Sequence, residues 1–259
     1  MSGAIGAIDV VIPARDEEES LGACLEAVLA SRRALMRLDP TPFVRCRIVV
    51  VLDACTDDSI GVAESFGDAV TVLETAAGNV GAARGIGARH VMASFDRPAE
   101  HWICSTDADT VVPETWLADH LAVAETGAYV GLGRVEPSGE TLPPSALDAW
   151  KRAHSDVSVR HVYGANLGVR ADAYLRAGGF PAIRLGEDEE LVRAIDALES
   201  HGDDAYAGAI GGAIGGANGS AGAARAGRVA RVEGVAVTSD RLDGRTSGGF
   251  AGFLRRLVD

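Results

Sequence analysis

Within the first 110 residues, apolar β-branched runs alternate with segments of helical spacing, and this alternation leaves few folds open. Ile8–Ile12 is one such run, closed by Pro13; after an acidic stretch, Leu21, Cys24, Leu25, Val28 and Leu29 recur at helical intervals. Arg47–Leu52 (RIVVVL) repeats the strand pattern, Asp53–Ser59 is a polar turn, and a short helix through Ile60 and Ala63 follows. A third strand is expected at Val70–Glu74, an Ala-rich helix from Gly81 to Met92, and a fourth strand at Trp102–Thr106. Strands and helices alternating at this length predict an α/β fold with a mainly parallel, Rossmann-like sheet covered on both faces. Ligands of such sheets lie beyond the carboxyl ends of the strands, where Asp53 and Asp107 fall.

The second half is less regular. Pro113 and Glu114 open a helix, and Ala128–Val135 reads as a strand. Leu147–Val157, Asp172–Ala177 and Glu187–Leu198 read as helices, Val229–Val237 as a returning strand and Phe250–Leu257 as a terminal amphipathic helix. Residues 206–227 are almost entirely small, with too little side chain to offset the entropy of ordering, so a mobile loop is expected there. At 259 residues the chain suits a single domain with two halves, 1–110 and 111–259.

Composition narrows the function. A net charge of −13 argues against nucleic-acid binding, which needs a basic face. Cys24, Cys46, Cys55 and Cys104 form no C-x-x-C pair and have no matched His spacing, so neither a zinc site nor a disulfide framework is indicated. They read as reduced thiols of a cytoplasmic protein. The first residues lack the basic flank of a secretion signal, and no run approaches the ~18 apolar residues of a membrane span. Oligomeric state is left open, a homodimer included.

Asp107-Ala108-Asp109 follows the fourth strand, which aims both carboxylates into the crevice. Two hard oxygen ligands one residue apart suit Mg²⁺ or Mn²⁺ shared with a diphosphate, although Asp-x-Asp is also a common solvated turn. The turn ends an ordered series: Val11-Ile12-Pro13-Ala14-Arg15-Asp16-Glu17-Glu18, then Leu52-Asp53-Ala54-Cys55-Thr56-Asp57-Asp58-Ser59, then Gly78-Asn79-Val80-Gly81-Ala82-Ala83-Arg84-Gly85.

With these motifs, from about Ile8 to Arg193, the sequence resembles the family-2 glycosyltransferases of the GT-A fold. The resemblance implies metal-dependent transfer from a nucleotide-sugar donor, a UDP- or GDP-sugar, to an acceptor hydroxyl. By position, Pro13, Ala14, Arg15 and Glu17 stand where the family holds the nucleoside, and Asp53 matches the aspartate that accepts from the base. Arg84 matches the basic residue near the nucleotide; Asp107 would reach ribose or metal water, and Asp109 the metal. Asp16 replaces the more usual Asn and Leu52 the first of two aspartates, which leaves the nucleotide open. Gly164–Arg170, with Asn166, matches the segment lining the donor sugar, and the acidic start of the next helix supplies the base: Asp188, with Glu187 as fallback. Arg241 or Arg245 matches the C-terminal basic segment that covers the leaving diphosphate in some members. His161, five residues before Asn166, is a weaker candidate near the metal.

Each assignment has a structural competitor: Asp53 as a turn cap, Arg84 as a solvated helix charge, and the acidic residues at 16–19 and 187–190 as helix N-termini. Among functions, inverting transfer leads, and a retaining enzyme of the glucosyl-phosphoglycerate synthase type is the alternative. A nucleotidyltransferase needs a glycine-rich basic loop after the first strand, but Ala14–Ser20 is acidic and lacks glycine. A binding module without turnover would have no use for both Asp109 and Asp188.

Overall fold

The computed structural model describes residues 4–38, 44–154, 156, 159–200, 229–242 and 250–258. Its strands are β1 (Ala7–Ala14), β2 (Ile48–Asp53), β3 (Thr71–Thr75), β4 (His101–Ser105), β5 (Thr110–Val111), β6 (Val130–Pro137), β7 (Leu167–Arg170) and β8 (Val229–Thr238). The helices are α1 (Leu21–Leu38), α2 (Ser59–Glu64), α3 (Val80–Met92), α4 (Trp116–Glu125), α5 (Pro144–Ala153), α6 (Ala171–Arg176), α7 (Glu187–Ser200) and α8 (Phe250–Val258).

One mixed sheet runs β3-β2-β1-β4-β7-β6-β8-β5. The block β3-β2-β1-β4 is parallel, as the apolar runs predict, and every residue of β1 and β2 is buried. Alternate residues of these strands feed two cores. Val10, Ile12, Val50 and Leu52 pack with the α1 stripe Leu21, Leu25 and Val28, whereas Val11, Val49 and Val51 pack with Ala83, Ala88 and Val91 of α3. α3 is capped by Asn79, whose side chain accepts from the Ala82 amide at 2.7 Å.

Several boundaries differ from the sequence reading. β1 continues through Pro13 because its pairing with β4 stops at Val11–Ser105, so the missing proline N–H removes no ladder bond on that side. The α4 helix starts at Trp116, after a turn in which its amide reaches the Pro113 carbonyl. The reading missed β5 and β7 altogether. β7 lies antiparallel between β4 and β6, and β5 pairs antiparallel with the end of β8, Thr110 opposite Thr238. That pairing brings the carboxyl end of β8 beside Asp109. The expected mobile loop at 206–227 lies outside the described residues, as does Arg245. No helix among the described residues is long and apolar enough to cross a membrane.

Candidate active site

A cleft of about 1520 Å³ opens at the carboxyl ends of β1, β2 and β4. β1 delivers Pro13 and Ala14 to its rim, and the following turn delivers Arg15 and Glu17; Asp53 arrives from β2, Arg84 from α3, and Asp107 and Asp109 from the turn after β4. Across the cleft stand Glu187 and Asp188 at the start of α7, while Arg241, just beyond β8, joins the wall of Glu17 and Asp109.

The turns after β1 and β2 brace one another. Asp16, at φ +49°, accepts from the Thr56 amide at 2.6 Å, a left-handed position that Asp tolerates as Asn does. Asp57 accepts from the Glu18 amide, at 2.9 Å, and from the Ser59 hydroxyl. Asp16, Cys55 and Asp57 form the one grouping of potential metal ligands within 4.8 Å of one another among the described residues, but both carboxylates are engaged in this brace. Asp53 is buried and accepts from the Gly78 amide at 2.8 Å, tying β2 to the entrance of α3.

Arg84 is not a surface charge. It is 3% exposed and joins Asp107 to Glu187, itself 4% exposed. The close approach of its guanidinium to Gly164 leaves no room there for a side chain, and Gly81 likewise lets α3 dock on the Pro181 carbonyl. Glu187 is therefore committed to Arg84 and does not fit its expected fallback role as base. Its neighbour Asp188 is partly exposed and lines the cleft, accepting from the Gly164 amide at 2.6 Å and the Glu189 amide at 2.8 Å.

At the other wall, Glu17 is buried and its carboxylate accepts from Ser20 Oγ at 2.9 Å and from both terminal nitrogens of Arg241. Glu17 thus holds Arg241, where the sequence reading had it hold a nucleoside. Arg241 also donates to Asp109 Oδ2 at 3.2 Å, and Thr238 Oγ1 donates to Asp109 Oδ1 at 3.3 Å. Burial, reinforced by the charges of Asp107 and Glu17, pushes the Asp109 carboxyl up to about 6 despite Arg241 and Thr238. Glu17 and Asp109 share the one Arg241 guanidinium, while Asp107 pairs with Arg84, and the hard carboxylate oxygens of Asp107 and Asp109 are of the chemistry that suits Mg²⁺ or Mn²⁺.

The preceding residue, Asp240, was given no role by the sequence reading. Its carboxylate accepts from Ser138 Oγ and from the Thr141 and Leu142 amides at 2.9–3.0 Å, fixing the chain from which Arg241 projects. Burial opposes ionisation, but these hydrogen bonds prevail and hold the carboxyl below its ordinary range.

Asn166 requires a correction. It is fully buried away from the cleft, and its amide is spent on the protein: Oδ1 accepts from Trp116 Nε1 at 2.9 Å, and Nδ2 donates to the Arg134 and Gly234 carbonyls at 2.9 and 3.0 Å. Trp102 Nε1 donates to His120 Nδ1 at 3.4 Å, which leaves His120 Nε2–H to donate to Asn166 at 3.2 Å. Asn166 therefore staples α4 to the irregular pairing of β6 with β8, where the register shifts between Leu132 and Arg134. His161 lines the cleft, but its ring stacks on Tyr163 and lies tilted against His154.

Residues 9–170 match the sequence profile of the family described as Glycosyl transferase family 2. No curated protein matches the sequence. Among solved structures, S. aureus TarS in complex with UDP-GlcNAc is 17% identical over 73% of this chain and 53% of that chain, with a TM-score of 0.51. Glucosyl-3-phosphoglycerate synthase from M. tuberculosis is 14% identical over 97% of this chain and 78% of that one, with a TM-score of 0.52. The chain spans about half the length of the TarS structures it matches. The family match covers well over half of the sequence, and the sheet has the order and carboxyl-end cleft of the GT-A fold. The chain belongs to glycosyl transferase family 2 and has the GT-A fold.

Proposed function

We propose that this enzyme transfers a sugar from a nucleotide-sugar donor to an acceptor hydroxyl, with a divalent cation and with inversion at the anomeric carbon. The observation that carries the reading is the layout of one cleft: Asp107 and Asp109 on the wall formed by the strand ends, and a partly exposed Asp188 on the facing helix. Asp53 and the β1 turn border the nucleoside side, and Asp107 and Asp109 are the residues that would hold Mg²⁺ or Mn²⁺, which supplies charge neutralisation for the diphosphate when bound. Support for the donor class comes from TarS, whose structure holds UDP-GlcNAc.

The chemistry asked of the chain's own residues is modest. Asp188 accepts the acceptor's hydroxyl proton as that oxygen bonds to the anomeric carbon; the bond from this carbon to the diphosphate oxygen breaks, and its electron pair leaves on the diphosphate. Arg241, released from Glu17 and Asp109, is placed to meet the negative charge that develops there. Arg84 and Glu187 keep the two walls in register. Residues 1–110 and 111–259 act as donor and acceptor halves of one unit, and the four free cysteines suit a reducing cytoplasm.

A retaining outcome has one observation in its favour, the similarity to glucosyl-3-phosphoglycerate synthase over 97% of the chain. Proton NMR of the product's anomeric signal separates the two outcomes. The donor reading is tested by thermal shift with UDP- and GDP-sugars in Mn²⁺ or Mg²⁺: a donor that binds the folded enzyme raises its melting temperature only with the metal. No shift with any of them counts against the reading.

A further inference from the structure

Beside the cleft lies a second cavity of about 600 Å³, between β6, the start of β8, the end of α5 and α7. Its volume suits a small molecule. The two spaces share a wall of rings: Trp150 stacks on His154 at 3.6 Å, His154 lies 4.6 Å from His161, and His161 runs parallel to Tyr163. Tyr163 directly precedes Gly164, whose amide holds Asp188, so this wall leads from the chamber to the proposed base.

The charge of the two spaces is reversed. The cleft is lined by nine carboxylates and six arginines. The chamber has four fixed cations, Arg134, Lys151, Arg160 and Arg231, two imidazoles and only three carboxylates, in a chain whose net charge is −13. Arg160 is committed to Asp196 by two hydrogen bonds of 2.8 and 3.2 Å. Arg134 and Lys151 have no carboxylate partner among the described residues. Nor is Arg134 there by accident of a regular strand: it sits at the register shift of β6 and β8, with its carbonyl pinned by the buried Asn166 amide. His161 Nε2 is also enclosed, with no hydrogen-bond partner among the described residues.

We propose that this chamber is the acceptor's anion subsite and that the acceptor is a small hydroxyl compound bearing a phosphate or a carboxylate. The charged group enters among Arg134, Lys151 and His161, and the ring wall carries the rest of the molecule toward Asp188. As an acceptor assignment this rests on the glycosyltransferase reading above, but the anion site itself does not.

The test is calorimetric titration of the full chain with glycerol phosphate, glycolate and, as a neutral control, glycerol, with UDP and Mn²⁺ present at saturation to occupy the donor cleft. The proposal predicts that at least one anion binds and glycerol does not, and the stronger anion identifies phosphate or carboxylate as the recognised group. In the Arg134→Gln/Lys151→Gln double variant, both changes being at exposed side chains, anion affinity is expected to fall at least about tenfold. UDP–Mn²⁺ affinity, measured on the same variant, is expected to stay within about threefold. Failure of both anions to bind the wild type, or equal binding to the variant, overturns the chamber. Failure of UDP–Mn²⁺ to bind the wild type counts against the donor reading alone, because the anion comparison between wild type and variant is read separately.

Discussion

Replacing Arg84 by Met removes the cation that joins two walls of the cleft, and the structure sets the size of the effect. Asp107 is more than a third exposed, so its loss is screened by water and amounts to less than about 1 kcal/mol. Glu187 is different: at about 4% exposure it would be left as a buried carboxylate without its partner, which costs about 3–5 kcal/mol. For a chain of this size that lowers the melting temperature by roughly 6–20 °C. Urea unfolding at pH 7 should show this loss for Arg84→Met, and a smaller one for Glu187→Met, whose guanidinium partner keeps Asp107. The double variant Arg84→Met/Glu187→Met should recover about 2 kcal/mol or more relative to the sum of the singles, because no unpaired buried charge remains. Strict additivity of the two single effects would refute the clamp.

Three further outcomes follow from the same geometry. Gly81→Ala puts a methyl group against the Pro181 carbonyl and 3.1 Å from Glu187 Cβ, so it should cost about 1–3 kcal/mol in urea unfolding; an unchanged midpoint would show that this docking is loose. Burial lowers the His120 pKa to about 4 against the helping bond from Asn166, so the unfolded chain takes up this proton first as pH falls below about 6.5. This stability is intact above pH 6.5 and lost as pH falls toward 4. At pH 5 it amounts to about 2 kcal/mol, and His120→Gln should flatten that part of the pH dependence; parallel profiles for the two proteins would contradict it. Asp109→Asn should abolish the metal-dependent part of donor binding and reduce turnover about 10²-fold or more, whereas full turnover at low metal would remove Asp109 from the site.

What could be read from sequence follows the range of the interactions. The parallel block was legible because a strand buried on both faces is apolar without interruption, as in Ile48–Leu52. β7 was not, since Leu-Gly-Val-Arg is too short to carry a period, and β5 is only two residues long. The cleft residues were found because their motifs sit at strand ends, where the chain's own order places them. Their partners were not: Arg241 and Glu17 lie 224 positions apart, and no local spacing links them. Asn166 was placed at the donor sugar by its match to the family's sugar-lining segment, yet its amide is consumed by buried partners. The signal that pointed inward was Trp116 and His120, two ring donors one helical turn apart on α4. Asp9, inside an apolar strand, was passed over for the same reason; its partners Arg45, Arg47 and His101 come from other elements.

The central claim, that Asp188 is the base of a glycosyl transfer, is tested most directly by measuring donor affinity and transfer rate together on folded Asp188→Asn. The substitution removes basicity and leaves one carbonyl to serve two amides, Gly164 and Glu189, so a loss of about 1 kcal/mol in stability is expected from the unmade bond. Transfer should fall about 10²-fold or more. Donor affinity, which the proposed function assigns to Asp53, Asp107 and Asp109 on the opposite wall, should change less than about threefold. Unimpaired transfer, or donor affinity and stability declining together with it, would contradict the account.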